Sequence, residues 1–276
     1  MKLLISAAAG VGLLFYGLHF YQAIVNQEEN LFQGASLSND RIEQVNEAFP
    51  SSEEVVIDSD GAELHGWFLP SSLDEAAPLF IYFGGNAEEA SRAMESLPLP
   101  DEWHGLFVNY RGYGKSTGEP SQDAFFSDAE ALYDFGASHH AVDQSMIVSG
   151  GRSMGTGTAA YLASERPVAA TILISPYDSR KALQQHRHPW LPAGTFIRHP
   201  FPVSTMAETV ETPLLVFTGS EDMVIPPEHS LVTAETWAGR TEHIELPGYD
   251  HNNVTQAEDF HEAFARFLEE LRTEAG

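Results

Sequence analysis

The 276-residue chain contains no cysteine. That excludes disulfides, a thiol nucleophile and thiolate metal sites together, although it leaves the compartment open. Basic residues are scarce: 14 Lys+Arg stand against 40 Asp+Glu, for a formal charge of −26. Such a surface repels phosphate backbones, which argues against a nucleic-acid partner and against a polybasic patch on anionic lipid. Internal repeats, low-complexity tracts and an H-E-x-x-H zinc motif are also missing. Hydrophobic residues, at 43%, suffice for a buried core. The length suits one large α/β domain or two small ones.

The longest uncharged run lies at the N-terminus. Leu3 to Val25 contains no Asp, Glu, Lys or Arg. As a helix at about 1.5 Å per residue it would span a hydrocarbon core of roughly 30 Å. The run is longer than the apolar region of a signal peptide, and no Ala-x-Ala site lies at its exit. Tyr16, His19, Phe20 and Tyr21 suit an interfacial aromatic belt. The expectation is an uncleaved anchor over 1–27, a juxtamembrane linker over 28–52 and a globular domain over 53–276. Lys2 precedes the run and Glu28-Glu29 follow it. The positive-inside rule then predicts a single-pass membrane protein, with a cytoplasmic N-terminus and the domain on the periplasmic or extracytoplasmic side.

Beyond residue 52, strand and helix patterns alternate. A hairpin is expected from 54–58 and 63–69, joined by Ser59-Asp60-Gly61. The continuous apolar run 78–83 reads as a strand buried on both faces. Further strands are predicted at 105–110, 145–149, 169–175, 213–218 and 243–246. Helices are predicted at 88–97, 121–138, 154–164, 227–237 and 257–272. An antiparallel hairpin followed by β-α alternation implies a mostly parallel sheet flanked by helices. The stretch 178–211 is irregular and follows the sixth strand, as a cap over the sheet's carboxyl edge would.

Two segments match G-x-S-x-G: 151–155 around Ser153 and 114–118 around Ser116. A nucleophile elbow needs a buried strand before the serine and a helix after it. Ser145 to Ser149 supplies the strand for Ser153, and Thr156 to Ala163 supplies an Ala-rich helix. Ser116 runs instead into Pro120, which denies it a helix. Gly114-Lys115-Ser116 also imitates the end of a phosphate-binding loop, but Asn109 stands where that motif needs glycine.

Serine needs a base to take its proton and an acid to orient that base. Asp222, after the strand 213–218, is the expected acid; Asp178, after the sixth strand, is the runner-up. His251, in the loop after the last strand, is the expected base, and His243 inside that strand is read as structural. Backbone N–H groups of Met154 and of Asn86, with Gly85 close behind, are the expected oxyanion donors. His186-x-His188 lacks a third ligand, so neither a metal nor a cofactor is expected.

The segments 82–86, 109–116, 151–155, 219–226 and 248–252 occur in an order that resembles the α/β-hydrolase superfamily. More closely, the chain resembles membrane-anchored serine hydrolases with an N-terminal signal anchor and a small cap. The resemblance covers roughly 50–273 and implies the α/β-hydrolase fold, with Ser153, Asp222 and His251 as nucleophile, acid and base. Two positions depart from the family pattern: Gly84 replaces the usual histidine of the oxyanion loop, and Thr218 stands where a histidine is common. The implied activity is hydrolysis of acyl esters or thioesters through an acyl-enzyme, on a small-molecule or lipid-like substrate. The cap residues Trp190, Leu191, Phe196 and Phe201 would line an apolar acyl pocket. An amidase or peptidase would use the same triad. A non-catalytic, membrane-tethered binding protein on a hydrolase fold is the reading from another class.

Overall fold

The computed structural model describes residues 12, 14–18, 20–22, 25–190 and 192–275. The described residues 12, 14–18, 20–22 and 25 are helical, and helices α1 (Gln27–Leu31) and α2 (Asn39–Ala48) follow. The hairpin β1 (Glu53–Ser59) and β2 (Ala62–Leu69) follows, closed by Asp60 and Gly61, both at positive φ. Two residues at positive φ match the right-handed twist of paired strands. Then come β3 (Ala77–Phe83), α3 (Ala90–Ser96), β4 (His104–Val108), α4 (Gln122–Ser138) and β5 (Val142–Arg152). The chain continues through α5 (Gly155–Glu165), β6 (Ala170–Ile174), α6 (Arg180–Arg187) and α7 (Val203–Ala207). It closes with β7 (Leu214–Gly219), α8 (Pro227–Thr236), β8 (Thr241–Leu246) and α9 (Glu258–Ala275).

The eight strands form one sheet in the order β1-β2-β4-β3-β5-β6-β7-β8. β1 and β2 pair antiparallel, as do β2 and β4; every later pairing is parallel. β3 is buried at every position because helices cover both faces. Its alternation divides the interior in two. Leu79, Ile81 and Phe83 pack with α4 and α5 residues such as Phe125 and Ala159. Phe80 and Tyr82 pack with α2, α3 and α9 residues such as Val45, Met94 and Phe264. This is an α/β-hydrolase fold with a short cap inserted after the sixth strand. Inside the cap, the stretch read as irregular contains α6, whose N-cap Ser179 accepts a hydrogen bond from Ala182 N–H.

The N-terminal expectations need correction. The run 1–27 falls partly outside the described residues (1–11, 13, 19, 23 and 24). Among the described residues no helix is long and apolar enough to cross a membrane. The expected single-pass topology, with its cytoplasmic N-terminus and external domain, is therefore overturned. Two rings of the described part, Tyr16 and Phe20, meet the cap, while Leu14, Phe15, Leu18, Tyr21 and Val25 are exposed. The Phe20 ring lies 5.9 Å from His188 and 6.1 Å from Phe196. Gln27 is buried, donates to Phe196 O and accepts from Arg198 N–H. Hydropathy does not distinguish a run that faces lipid from one whose apolar side chains rest on a neighbouring cap. The segment read as a linker, 28–52, also folds onto the domain. Leu31 joins one core, and Ile42 and Val45 of α2 join the other.

Candidate active site

Parallel strands deliver their carboxyl ends to one edge, where loops can converge. Ser153 follows β5, Asp222 follows β7, His251 follows β8, and Gly84 to Asn86 follow β3. Ser153 has a φ of 51°, in the left-handed region. A non-glycine residue held there is strained, and the surrounding glycines make the turn possible. A Cβ on Gly151 would fall against Gly155 O and 2.6 Å from its carbonyl carbon. A Cβ on Gly155 would overlap Phe83 O and lie 2.5 Å from Gly84 O. The two flanking glycines of the motif are therefore a packing requirement at the junction of β5, α5 and the loop after β3.

The three side chains singled out in the sequence come together. His251 Nδ1 lies 2.7 Å from Asp222 Oδ2, and His251 Nε2 lies 2.9 Å from Ser153 Oγ. An ionised carboxylate only accepts, so Nδ1 carries the proton and neutral Nε2 accepts from the serine hydroxyl. Asp222 Oδ1 accepts the N–H groups of Val224 and Ile225, at 2.9 and 2.7 Å. Burial pushes its carboxyl upward, but the hydrogen bond from His251 and these backbone donors hold it below the usual carboxylate value. Glu221 beside it is exposed.

The other candidates have different partners. Asp178 accepts from Ser179 N–H and pairs with His229 Nδ1 at 2.8 Å. His243 Nε2 contacts Thr218 Oγ1 at 3.0 Å, and burial lowers its pKa. Ser116 is buried; it donates to Asn109 O and accepts from His65 N–H, so it ties a loop to β2. His186 and His188 diverge: one stands by Glu228 and the His229 ring, the other by Phe20.

The loop after β3 corrects one expectation. Gly85 N–H donates to Glu88 Oε2 at 2.7 Å, so it is not free to receive an oxyanion. The N–H groups of Asn86 and Met154 have no hydrogen-bond partner among the described residues, and both residues border the cavity above Ser153. The Asn86 side chain is anchored on three sides. It donates to Asn30 O and accepts from Gln33 N–H and from the Tyr113 hydroxyl. Burial pushes Tyr113 up to about 12, so its hydroxyl stays a donor at neutral pH. The Tyr110 hydroxyl donates to Gly84 O.

Sequence reasoning missed Glu88 and Arg152. Arg152 Nη1 reaches Glu88 Oε2 at 3.3 Å, and Nη2 donates to His251 O at 2.8 Å. This pair joins the loops that carry Gly85, Ser153 and His251. Arg152 occupies the variable position of the motif, and nothing in its spacing marks it.

A cavity of about 410 Å³ opens above Ser153. Leu31, Leu183, Ile197, Val224 and Ile225 supply its apolar wall. The cap aromatics expected there lie elsewhere. Trp190 is 85% exposed, and Phe196 is half exposed beside Phe20. Phe201 is buried against Phe126 and Gly157, and Leu191 falls outside the described residues.

The α/β-hydrolase fold family matches residues 78–203. An uncharacterized protein of Mycobacterium tuberculosis is 31% identical over 229 residues, covering 80% of each chain. The chain belongs to the α/β-hydrolase family. The α/β-hydrolase domain-containing protein WAV2 of Arabidopsis thaliana is 27% identical over 239 residues, or 78% of each chain. Among solved structures, an esterase of Pyrococcus furiosus superposes with a TM-score of 0.68 at 17% identity. That match covers 86% of this α/β-hydrolase and 96% of the esterase, a likeness of fold.

Proposed function

We propose that this α/β-hydrolase cleaves acyl esters or thioesters with Ser153 as nucleophile, His251 as general base and Asp222 as its orienting acid. One observation carries the reading: the unbroken relay from Ser153 Oγ through His251 to Asp222, at 2.9 and 2.7 Å, beside a cavity. Ser153 Oγ attacks the acyl carbonyl carbon as its proton passes to His251 Nε2. The oxyanion that forms is received by the N–H groups of Met154 and Asn86. Collapse expels the alcohol or thiol, which takes the proton from His251 and leaves an acyl-Ser153 ester. Water then repeats the sequence, releasing the acid and restoring the serine. That the Pyrococcus furiosus neighbour is an esterase supports this chemistry.

The test is labelling by a fluorophosphonate, which reacts with an activated serine and hardly with an ordinary one. Wild type and Ser116→Ala should label, and Ser153→Ala should not. Loss of Ser153 should lower turnover of p-nitrophenyl esters by on the order of 10⁴-fold or more. A folded protein that neither labels nor turns over any ester would refute the reading and leave a binding protein on a hydrolase fold. Faster cleavage of p-nitroanilides than of matched esters would assign it instead to amide chemistry.

A further inference from the structure

The cavity above Ser153 is bordered by two arginines and by no Asp or Glu among its described lining residues. In a chain with 40 acidic and 14 basic residues, that is the reverse of the composition. Both arginines come from α6. Arg180, Leu183, Gln184 and Arg187 all border the cavity, and their i, i+3, i+4, i+7 spacing places them on one helical face. A cap built only for a hydrocarbon chain would turn an apolar stripe toward that space. This helix turns a cation at each end.

Neither guanidinium reaches a carboxylate among the described residues. Arg180 is 9% exposed, and Nη1 donates to His199 O at 3.1 Å. Arg187 is exposed at the cavity's border, and its Nη2 donates to Val224 O at 2.7 Å. Arg111, Arg152 and Arg166 elsewhere in the fold each reach a carboxylate. A cation as buried as Arg180 ordinarily acquires such a partner, because desolvation without one is costly. Asp222 attracts Arg187 from a distance, but its oxygens are occupied by His251, Val224 and Ile225. Burial, with Arg187 close by, holds Arg180 below the ordinary guanidinium value, as expected of a cation still lacking its anion.

We infer that α6 forms a subsite for an anionic oxyacid group, a carboxylate or a phosphate, on the substrate cleaved at Ser153. The inference rests on the ester hydrolysis proposed above for its placement beside the nucleophile. The planar guanidinium offers donors in the geometry that carboxylate and phosphate oxygens accept. The overall charge of −26 repels anions at long range, so a preference for an anionic substrate would have to come from local contacts.

The experiment compares two p-nitrophenyl esters of equal chain length on the full-length protein: the neutral hexanoate and the adipate hemiester, which ends in a carboxylate. The hemiester should have the higher kcat/KM. Arg180→Gln and Arg187→Gln should each reduce the hemiester-to-hexanoate ratio on the order of tenfold, the size of a lost charge-assisted hydrogen bond. Arg180→Lys should retain part of the ratio. Calorimetric titration with adipate and with hexyl phosphate reads the subsite without turnover and separates carboxylate from phosphate. Binding of either, lost in Arg187→Gln, supports the subsite.

Preference for the neutral ester, with the ratio unchanged in both variants and no calorimetric binding, would overturn it. An equal fall for both esters in the variants would also overturn it, by assigning the arginines to cap support alone. Anion binding without fluorophosphonate labelling would sink the hydrolase reading while keeping the subsite.

Discussion

Gly155→Ala tests the physical account of the elbow most directly. The new Cβ would overlap Phe83 O and lie 2.5 Å from Gly84 O. A relaxed carbon–oxygen contact is about 3.3 Å, so Gly84 must retreat by roughly 0.8 Å and Phe83 by more. Both obstacles are backbone, and Phe83 is fixed in β3, so no flexible side chain can absorb the strain. Overpacking of this kind costs about 1–3 kcal/mol, occasionally more, and a backbone-on-backbone clash belongs at the upper end. At about 2–4 °C per kcal/mol for a domain of this scale, the melting temperature should fall by roughly 6–12 °C. The retreat also moves the loop bearing Asn86, and a 1 Å misplacement can cost on the order of 100-fold in rate. Gly85→Ala is the control. Its Cβ would meet the Glu88 side chain at 3.1 Å and Ser153 Cβ at 3.6 Å, contacts that small rotations relieve. Urea denaturation and p-nitrophenyl ester turnover of both variants should separate them. A Gly155→Ala protein as stable and as active as Gly85→Ala would refute the steric reasoning.

Two other perturbations follow from the charges. Asp222 has a depressed pKa in the fold, so the stability it contributes is present above its unfolded value and is lost as pH falls through its folded value. Asp222→Asn should therefore flatten the acid limb of the unfolding curve and lower turnover by about 10⁴-fold, through loss of the His251 tautomer; an unchanged acid limb in urea titrations from neutral to acidic pH would contradict this. Arg111 forks onto buried Asp128 and also donates to Ser59. Arg111→Met strands that carboxylate and should destabilise by about 3–5 kcal/mol in chemical denaturation. A loss below about 1 kcal/mol would mean that water replaces the guanidinium there.

The elbow was legible because its requirements are local. Only Ser153 had a buried strand before it and a helix after it, and Ser116 was set apart by Pro120 alone. Asp222 and His251 followed from chain order, since parallel strands bring their carboxyl ends to one edge. The helix α2 was missed: Ile42 and Val45 are its buried residues among polar neighbours, and that pattern also suits a short turn. Gly85 was misassigned because sequence places two glycines at the loop but does not show that Glu88, three residues on, captures one of their N–H groups. The cap aromatics were misassigned for a related reason: the apolar character of Trp190 does not distinguish a pocket wall from a solvent-facing side chain.

The sequence by itself determined the order of strands and helices, the hairpin at the start, the place of the cap and the position of the elbow. Each follows from hydrophobic period, turn residues and small residues, which act over a few neighbours along the chain. The tertiary structure alone decided which backbone N–H groups stay free among the described residues, that Arg152 ties Glu88 to the His251 loop, and that Tyr16 and Phe20 of the N-terminal run meet the cap. It also decided that α6 turns Arg180 and Arg187 toward the cavity above Ser153. These depend on distances between residues far apart in sequence, and a pattern with a period of two or 3.6 residues carries no such distances.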